Sequence, residues 1–130
     1  MKNKVKIIAE IANAHQGNSL KALNLAKSFA KKGADAIKFQ IYSADELLTK
    51  NHKRYKHFKK QAFTKAQWRS LIKKTKNLGL EIYADIFGVD AFNIAKQYQV
   101  DGYKIHSSDL SNVHLLELLS DEKKKIFLAT

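Results

Sequence analysis

Six residues on four short apolar segments have the types that bind an anion and move protons: Glu10, Lys38, Gln40, Asp85, Lys104 and His106. Two lysines supply charge-assisted donors for a carboxylate or phosphate. A glutamate and an aspartate supply bases, a glutamine amide positions, and a histidine titrates near neutrality. Successive side chains of a strand alternate between its two faces. In Ala36–Ile41 that period puts Lys38 and Gln40 on one face and Ile37, Phe39 and Ile41 on the other. It sets Glu10 against Ile7, Ala9 and Ile11, groups Tyr83 with Asp85 against Ile82, Ala84 and Ile86, and separates Lys104 and His106 from Tyr103 and Ile105. One face of such a sheet is apolar and packs on helices, while the other gathers charge near the strands' carboxyl ends. A buried ion-pair network accounts for any one of these residues as well as function does. The whole set, on four successive strands and at the end where barrel enzymes keep their active sites, favours function.

The elements that must hold these residues alternate strand and helix without a proline. The first strand is expected over Val5–Ala12. A helix follows with Ser19 as N-cap and Leu23, Ala26, Phe29 and Ala30 on one stripe, ending at Gly33. After the Ala36–Ile41 strand comes a polar segment, Tyr42 to Phe63. Thr64-Lys65-Ala66-Gln67 then reads as a capping box, opening a helix with Trp68, Leu71, Ile72, Thr75 and Leu78 inward. A third strand is expected over Leu80–Phe87, a helix from about Asp90 to Tyr98, and a strand over Gly102–Ser107. A helix near Val113–Leu119 and a last strand over Lys125–Ala129 complete the series.

This alternation demands a parallel sheet with right-handed crossovers, either doubly wound or a barrel. Fully buried parallel strands read as continuous apolar runs, whereas these strands carry charge on one face. The fold class expected is therefore α/β, a partial (β/α)8 TIM barrel of about five β/α units. A complete barrel takes eight strands and roughly 250 residues, so residues 1–130 are expected to form the N-terminal part of such a domain, with the first and last strands as open edges. Those edges invite pairing with the missing half-barrel or with a second copy.

Composition narrows the function classes further. No cysteine is present, which excludes disulfides and thiolate metal sites and fits a reducing, cytoplasmic setting. Glu10 breaks the N-terminal apolar run too early for a signal peptide or membrane span, so no membrane partner is expected. The formal net charge of +12 is carried almost wholly by lysine, the only arginines being Arg54 and Arg69. Scattered over helix faces, such lysines read first as solvation and second as attraction for anions.

Four motifs stand in register: Ile8-Ala9-Glu10-Ile11 with His15-Gln16-Gly17; Gly33-Ala34-Asp35-Ala36-Ile37-Lys38-Phe39-Gln40; Ala44-Asp45-Glu46-Leu47-Leu48-Thr49; and Tyr103-Lys104-Ile105-His106-Ser107-Ser108-Asp109-Leu110. In order and spacing they resemble the N-acetylneuraminate (sialic acid) synthase family, from Lys6 to Thr130. The resemblance implies condensation of phosphoenolpyruvate with an N-acyl amino sugar aldehyde such as N-acetylmannosamine, giving a nonulosonic acid and phosphate. It further implies that Lys38 and Lys104 hold the phosphoenolpyruvate anion and that Ser107 adds a hydroxyl donor. Glu10 would handle the attacking water, Gln40 would position the substrates, and His15 would lie near the pocket mouth. A divalent metal, manganese or magnesium, is implied for the full-length family, with its two histidine ligands on later strands. No residue here replaces them by position, and His52 and His57 read as solvated surface.

The sequence also departs from the family. Ala84-Asp85-Ile86 stands where Ser-Thr-Pro is common, which removes a hydroxyl donor and adds a negative charge. Ala129-Thr130 replaces a Ser-Thr pair, and Ala14 replaces an asparagine. Three rival readings stay open. Lysine in an apolar lumen suits a Schiff-base aldolase. The basic, aromatic stretch from Lys50 to Lys60 suits a nucleic-acid-binding module, although a lid over an anionic substrate is the simpler account and nucleic acid is not the expected partner. The third is a non-catalytic remnant of the enzyme.

Overall fold

The computed structural model describes residues 5–130, so Lys2 and Lys4 of the basic N-terminus lie outside the described residues. The elements are β1 (Ile8–Glu10), α1 (Ser19–Lys31), β2 (Ala36–Tyr42), α2 (Ala44–Leu47), α3 (Tyr55–Gln61), α4 (Lys65–Lys76), β3 (Glu81–Phe87), α5 (Val89–Gln97), β4 (Gly102–Ile105), α6 (Val113–Ser120) and β5 (Lys125–Leu128). A 3-10 turn covers Ser107–Asp109. All neighbouring strands are parallel, and their order is β1-β2-β3-β4-β5. Each new strand joins the same growing edge, with none of the reversal that defines a doubly wound sheet. The sheet is thus a partial barrel wall.

Its outer face is the apolar one. Ile37, Phe39, Ile41, Ile82, Ala84, Ile86, Tyr103 and Ile105 pack against Ala22, Leu23 and Ala26 of α1 and against Trp68, Leu71 and Ile72 of α4. Ala91, Phe92 and Ala95 of α5 and Leu115 and Leu119 of α6 complete that core. Burying such side chains contributes roughly 1.5–3 kcal/mol each before chain entropy is counted. The Thr64 capping box is present: Gln67 N–H donates to Thr64 Oγ1 at 3.2 Å, and Thr64 N–H donates to Gln67 Oε1 at 2.9 Å. Among the described residues no helix is long and apolar enough to cross a membrane.

Several local expectations need correction. The first strand is shorter than Val5–Ala12, because Ala12 turns to φ 46° and the Ile7 N–H is taken by Asp35 Oδ2 at 2.8 Å. Ile7 is accordingly exposed and does not extend the apolar face. The first helix is capped by Asn18 rather than Ser19, the Asn18 side chain accepting from Lys21 N–H at 2.9 Å. The stretch from Tyr42 to Phe63 holds two short helices. The fourth strand stops at Ile105, since His106 N-caps the 3-10 turn that contains Ser107.

The short α2 matters for the site's rim. Glu46 reaches across to α5, and both of its carboxylate oxygens accept from the Asp90 N–H at 3.2 Å. Gly88, at φ 92°, precedes that helix and offers no side-chain cap. A Cβ on Gly88 would stand 2.6 Å from the Glu46 carboxyl carbon, so the borrowed cap needs glycine there. Burial pushes the Glu46 carboxyl above the ordinary glutamate range, and the backbone N–H groups of the helix draw it back down in part.

Candidate functional site

On the inner face the charged side chains meet in pairs set by strand register. Glu10 and Lys38 are register partners on β1 and β2, with Lys38 Nζ 3.2 Å from Glu10 Oε2. Asp85 and Lys104 are register partners on β3 and β4, with Lys104 Nζ 2.8 Å from Asp85 Oδ2. Gln40, the register partner of Asp85, donates its amide N–H to Glu10 Oε1 at 3.4 Å. Lys38 and Lys104 line one cavity of about 200 Å3 together with Glu10, Ile8 and Phe127. Of two hollows of about 310 and 300 Å3 elsewhere, the first is lined by Tyr42 at the end of β2 with helix and loop residues and the second by α4 and the segments after α4 and α5.

The two ion pairs balance, with two ammonium groups against two carboxylates, of which Glu10 lines the cavity and Asp85 lies behind Lys104. The two pairs differ in burial. The Lys38 and Glu10 side chains are 15% and 41% exposed, whereas Asp85 is 0% exposed and Lys104 22%. Asp85 Oδ1 is buried and has no hydrogen-bond partner among the described residues, where the carboxylate depends on Lys104 alone. Burial works against the Lys104 ammonium, but the hydrogen bond and charge of Asp85, helped by Glu10, outweigh it and hold the group above the ordinary lysine value. Lys104 therefore remains a cation rather than a free amine.

The remaining expected site residues lie apart from the cavity lining. His15 is 2% exposed, rests on Phe63 with ring centroids 4.4 Å apart, and accepts the Gly17 N–H on Nδ1 at 3.0 Å. Burial, with the Lys21 charge as a smaller cause, lowers its proton affinity, so it is a neutral ring buried under the loop after β1. His106 stacks near Phe87 at 4.9 Å and accepts the Ser108 N–H at 3.4 Å. Ser107 is exposed on the 3-10 turn.

Reading the sequence missed Ile8 and Phe127 as lining residues; Tyr83, which the strand period groups with Asp85, meets the Phe127 ring at 5.4 Å. A signal for Phe127 was available in the two-residue period of the last strand, which sets it opposite Ile126 and Leu128; the structure makes it the register partner of Lys104, on the same face.

In the basic segment, Tyr55 is buried and donates to Asp45 Oδ1 at 2.7 Å, while Phe58 meets Tyr42 edge-on at 5.6 Å. The aromatic rings that would have stacked on bases are used for packing. His52 and His57 are exposed, as expected of surface. Among the described residues no group of three or more His, Cys, Asp or Glu comes together, and Glu10 and Asp85 are both engaged by lysines. The residues present do not fit the divalent metal that the resemblance implies.

A family model described as the NeuB family matches residues 25–130. Pseudaminic acid synthase of Campylobacter jejuni is 31% identical over 142 residues, covering 98% of this chain and 41% of that protein. An uncharacterized protein of Methanocaldococcus jannaschii is 30% identical over 124 residues, which is 95% of this chain and 37% of that one. The crystal structure of N-acetylneuraminic acid (sialic acid) synthetase from Leptospira borgpetersenii, in complex with citrate, matches with a TM-score of 0.89 at 32% identity, covering 97% of this chain and 44% of that chain. The chain thus spans about two-fifths of the length of the curated relatives it matches.

Proposed function

The chain belongs to the NeuB family, and from that premise we propose that it provides the phosphoenolpyruvate-binding portion of a nonulosonic acid synthase. The reaction joins C3 of phosphoenolpyruvate to the aldehyde carbon of an N-acyl amino sugar such as N-acetylmannosamine. Water adds at C2, and phosphate leaves with its bridging oxygen as the keto acid forms. The observation that carries the reading is the placement of Lys38 and Lys104 over one cavity, with Glu10 against Lys38. Two ammonium groups suit the carboxylate and phosphate of one small anion. Glu10, at the more exposed pair, is the base for the attacking water, and Gln40, bonded to Glu10, orients it. Ser107, His106 and His15 are assigned to substrate contacts only if the loops after β1 and β4 rearrange over the bound ligand. The setting is the cytoplasm.

Without a metal site among the described residues, the 130 residues are proposed to bind phosphoenolpyruvate without turning it over. Calorimetric titration of phosphoenolpyruvate into the chain should show one site, from which inorganic phosphate competes. Phosphate release with N-acetylmannosamine and manganese should not be sustained. Absence of binding would remove the proposal, and sustained metal-dependent release would show that a metal site has been overlooked.

The Schiff-base alternative makes a different demand. A lysine that attacks a carbonyl must spend time deprotonated, whereas Lys104 is held in its ammonium form by Asp85. Borohydride reduction in the presence of pyruvate should therefore leave the mass of the chain unchanged. A covalent adduct on Lys38 or Lys104 would favour the aldolase reading.

A further inference from the structure

The Asp85–Lys104 pair poses a problem for any anion that enters the cavity. Lys104 lines the cavity, and Asp85 stands behind it, fully buried, with Oδ2 on the Lys104 ammonium at 2.8 Å and Oδ1 with no partner among the described residues. An anion that draws Lys104 to itself leaves the Asp85 carboxylate buried without any counter-charge. A carboxylate in that position takes up a proton rather than remain as an isolated charge.

We propose that the Asp85–Lys104 pair is a proton-linked anion gate. An oxyanion ligand takes Lys104, and Asp85 takes up one proton from solvent and becomes an O–H donor directed into the space that Lys104 vacates. This rests on the reading that the cavity binds a phosphate- or carboxylate-bearing substrate. Among the described residues Oδ1 has no donor to hold the charge once Lys104 leaves, so the proton goes to Oδ2, on the side that Lys104 vacates. Lys38 is not part of the gate, because its own partner Glu10 is 41% exposed and water can solvate that carboxylate when Lys38 turns away.

The groups facing the pair from neighbouring elements are Glu10 on β1, Lys38 and Gln40 on β2, Tyr83 on β3, Phe127 on β5 and His106 just past β4. Tyr83 donates its hydroxyl to Glu81 Oε2 at 2.7 Å, and His106 is engaged by Ser108, so neither is bonded to Asp85. Asp85 is the member of this set left uncompensated when Lys104 moves.

The test is calorimetric titration of the full chain with sulfate, whose charge is constant from about pH 5 to about pH 8, and with phosphoenolpyruvate, each in two buffers of different ionisation enthalpy. Wild-type chain should take up close to one proton per sulfate bound, and its affinity should fall about tenfold per pH unit as pH rises. Asp85→Asn should bind sulfate with no proton uptake and little pH dependence, and more tightly than wild type at the alkaline end. Asp85→Thr serves as the second variant should the first fail to fold, and the wild-type measurement needs no variant. Binding of either anion without proton uptake overturns the gate and leaves the proposed function standing. Proton uptake retained in Asp85→Asn also overturns it, since a different group, His106 foremost, would then be titrating. Failure of both anions to bind across the whole range removes the functional reading and the gate with it.

Discussion

Lys104→Met is expected to lower the unfolding free energy by about 3–5 kcal/mol, the cost of leaving a buried carboxylate without its partner. Asp85 is fully buried and has no second donor among the described residues, so none of them replaces the lost ammonium. Adding Asp85→Leu to that variant should recover most of the loss, because an apolar pair of similar volume suits the inner wall beside Tyr83 and Phe127. Urea unfolding of both single variants and the double variant closes the thermodynamic cycle. A loss below about 1 kcal/mol for Lys104→Met would mean that water reaches Asp85 and that the pair behaves as a surface ion pair.

Lys38→Met should separate function from stability. Its partner Glu10 is well exposed, so removing the lysine should change the unfolding free energy by less than about 1 kcal/mol. Charge-assisted hydrogen bonds to a bound anion are worth about 1.5–3 kcal/mol, so affinity for phosphoenolpyruvate should fall roughly 10- to 100-fold. Calorimetry on this variant is the cleaner probe of the cavity, since the Lys104 variant mixes lost contacts with a weakened fold. Unchanged affinity in Lys38→Met would place the anion away from β2.

How much of this was legible in the sequence depends on the range of the interaction. The two-residue period is local, and it placed Glu10, Lys38, Asp85 and Lys104 on the inner face, where the structure has them. The Thr64 capping box is equally local and is present as read. That the lysines are already paired was not legible, because the partnerships Glu10 with Lys38 and Asp85 with Lys104 follow from strand register, which no single segment specifies. The helix Ala44–Leu47 is too short to show a helical period, so the polar stretch after β2 read as irregular. His15 looked like a loop residue available to ligand. Its burial comes from Phe63, nearly fifty residues later, and no pattern near His15 announces it. The length of β1 was overestimated for the opposite reason, since the strand-like pattern of Val5–Ala12 extends beyond both ends of the paired segment Ile8–Glu10, where Asp35 takes the Ile7 N–H and the backbone turns at Ala12.

The cap that Glu46 lends to α5 makes one mechanical unit of two loops that the chain separates by 44 residues. Hydrogen exchange at the first turn of α5 should therefore report the opening of the segment around α2, not fraying of α5 itself. The same bond limits drift of the sequence at the rim. A residue inserted between Thr49 and Arg54 lies outside the tie, whereas one inserted between Ser43 and Glu46 should pull the carboxylate away from the Asp90 N–H and uncap a helix on another part of the wall. Loop length at this rim is thus constrained by a helix terminus that the loop does not precede.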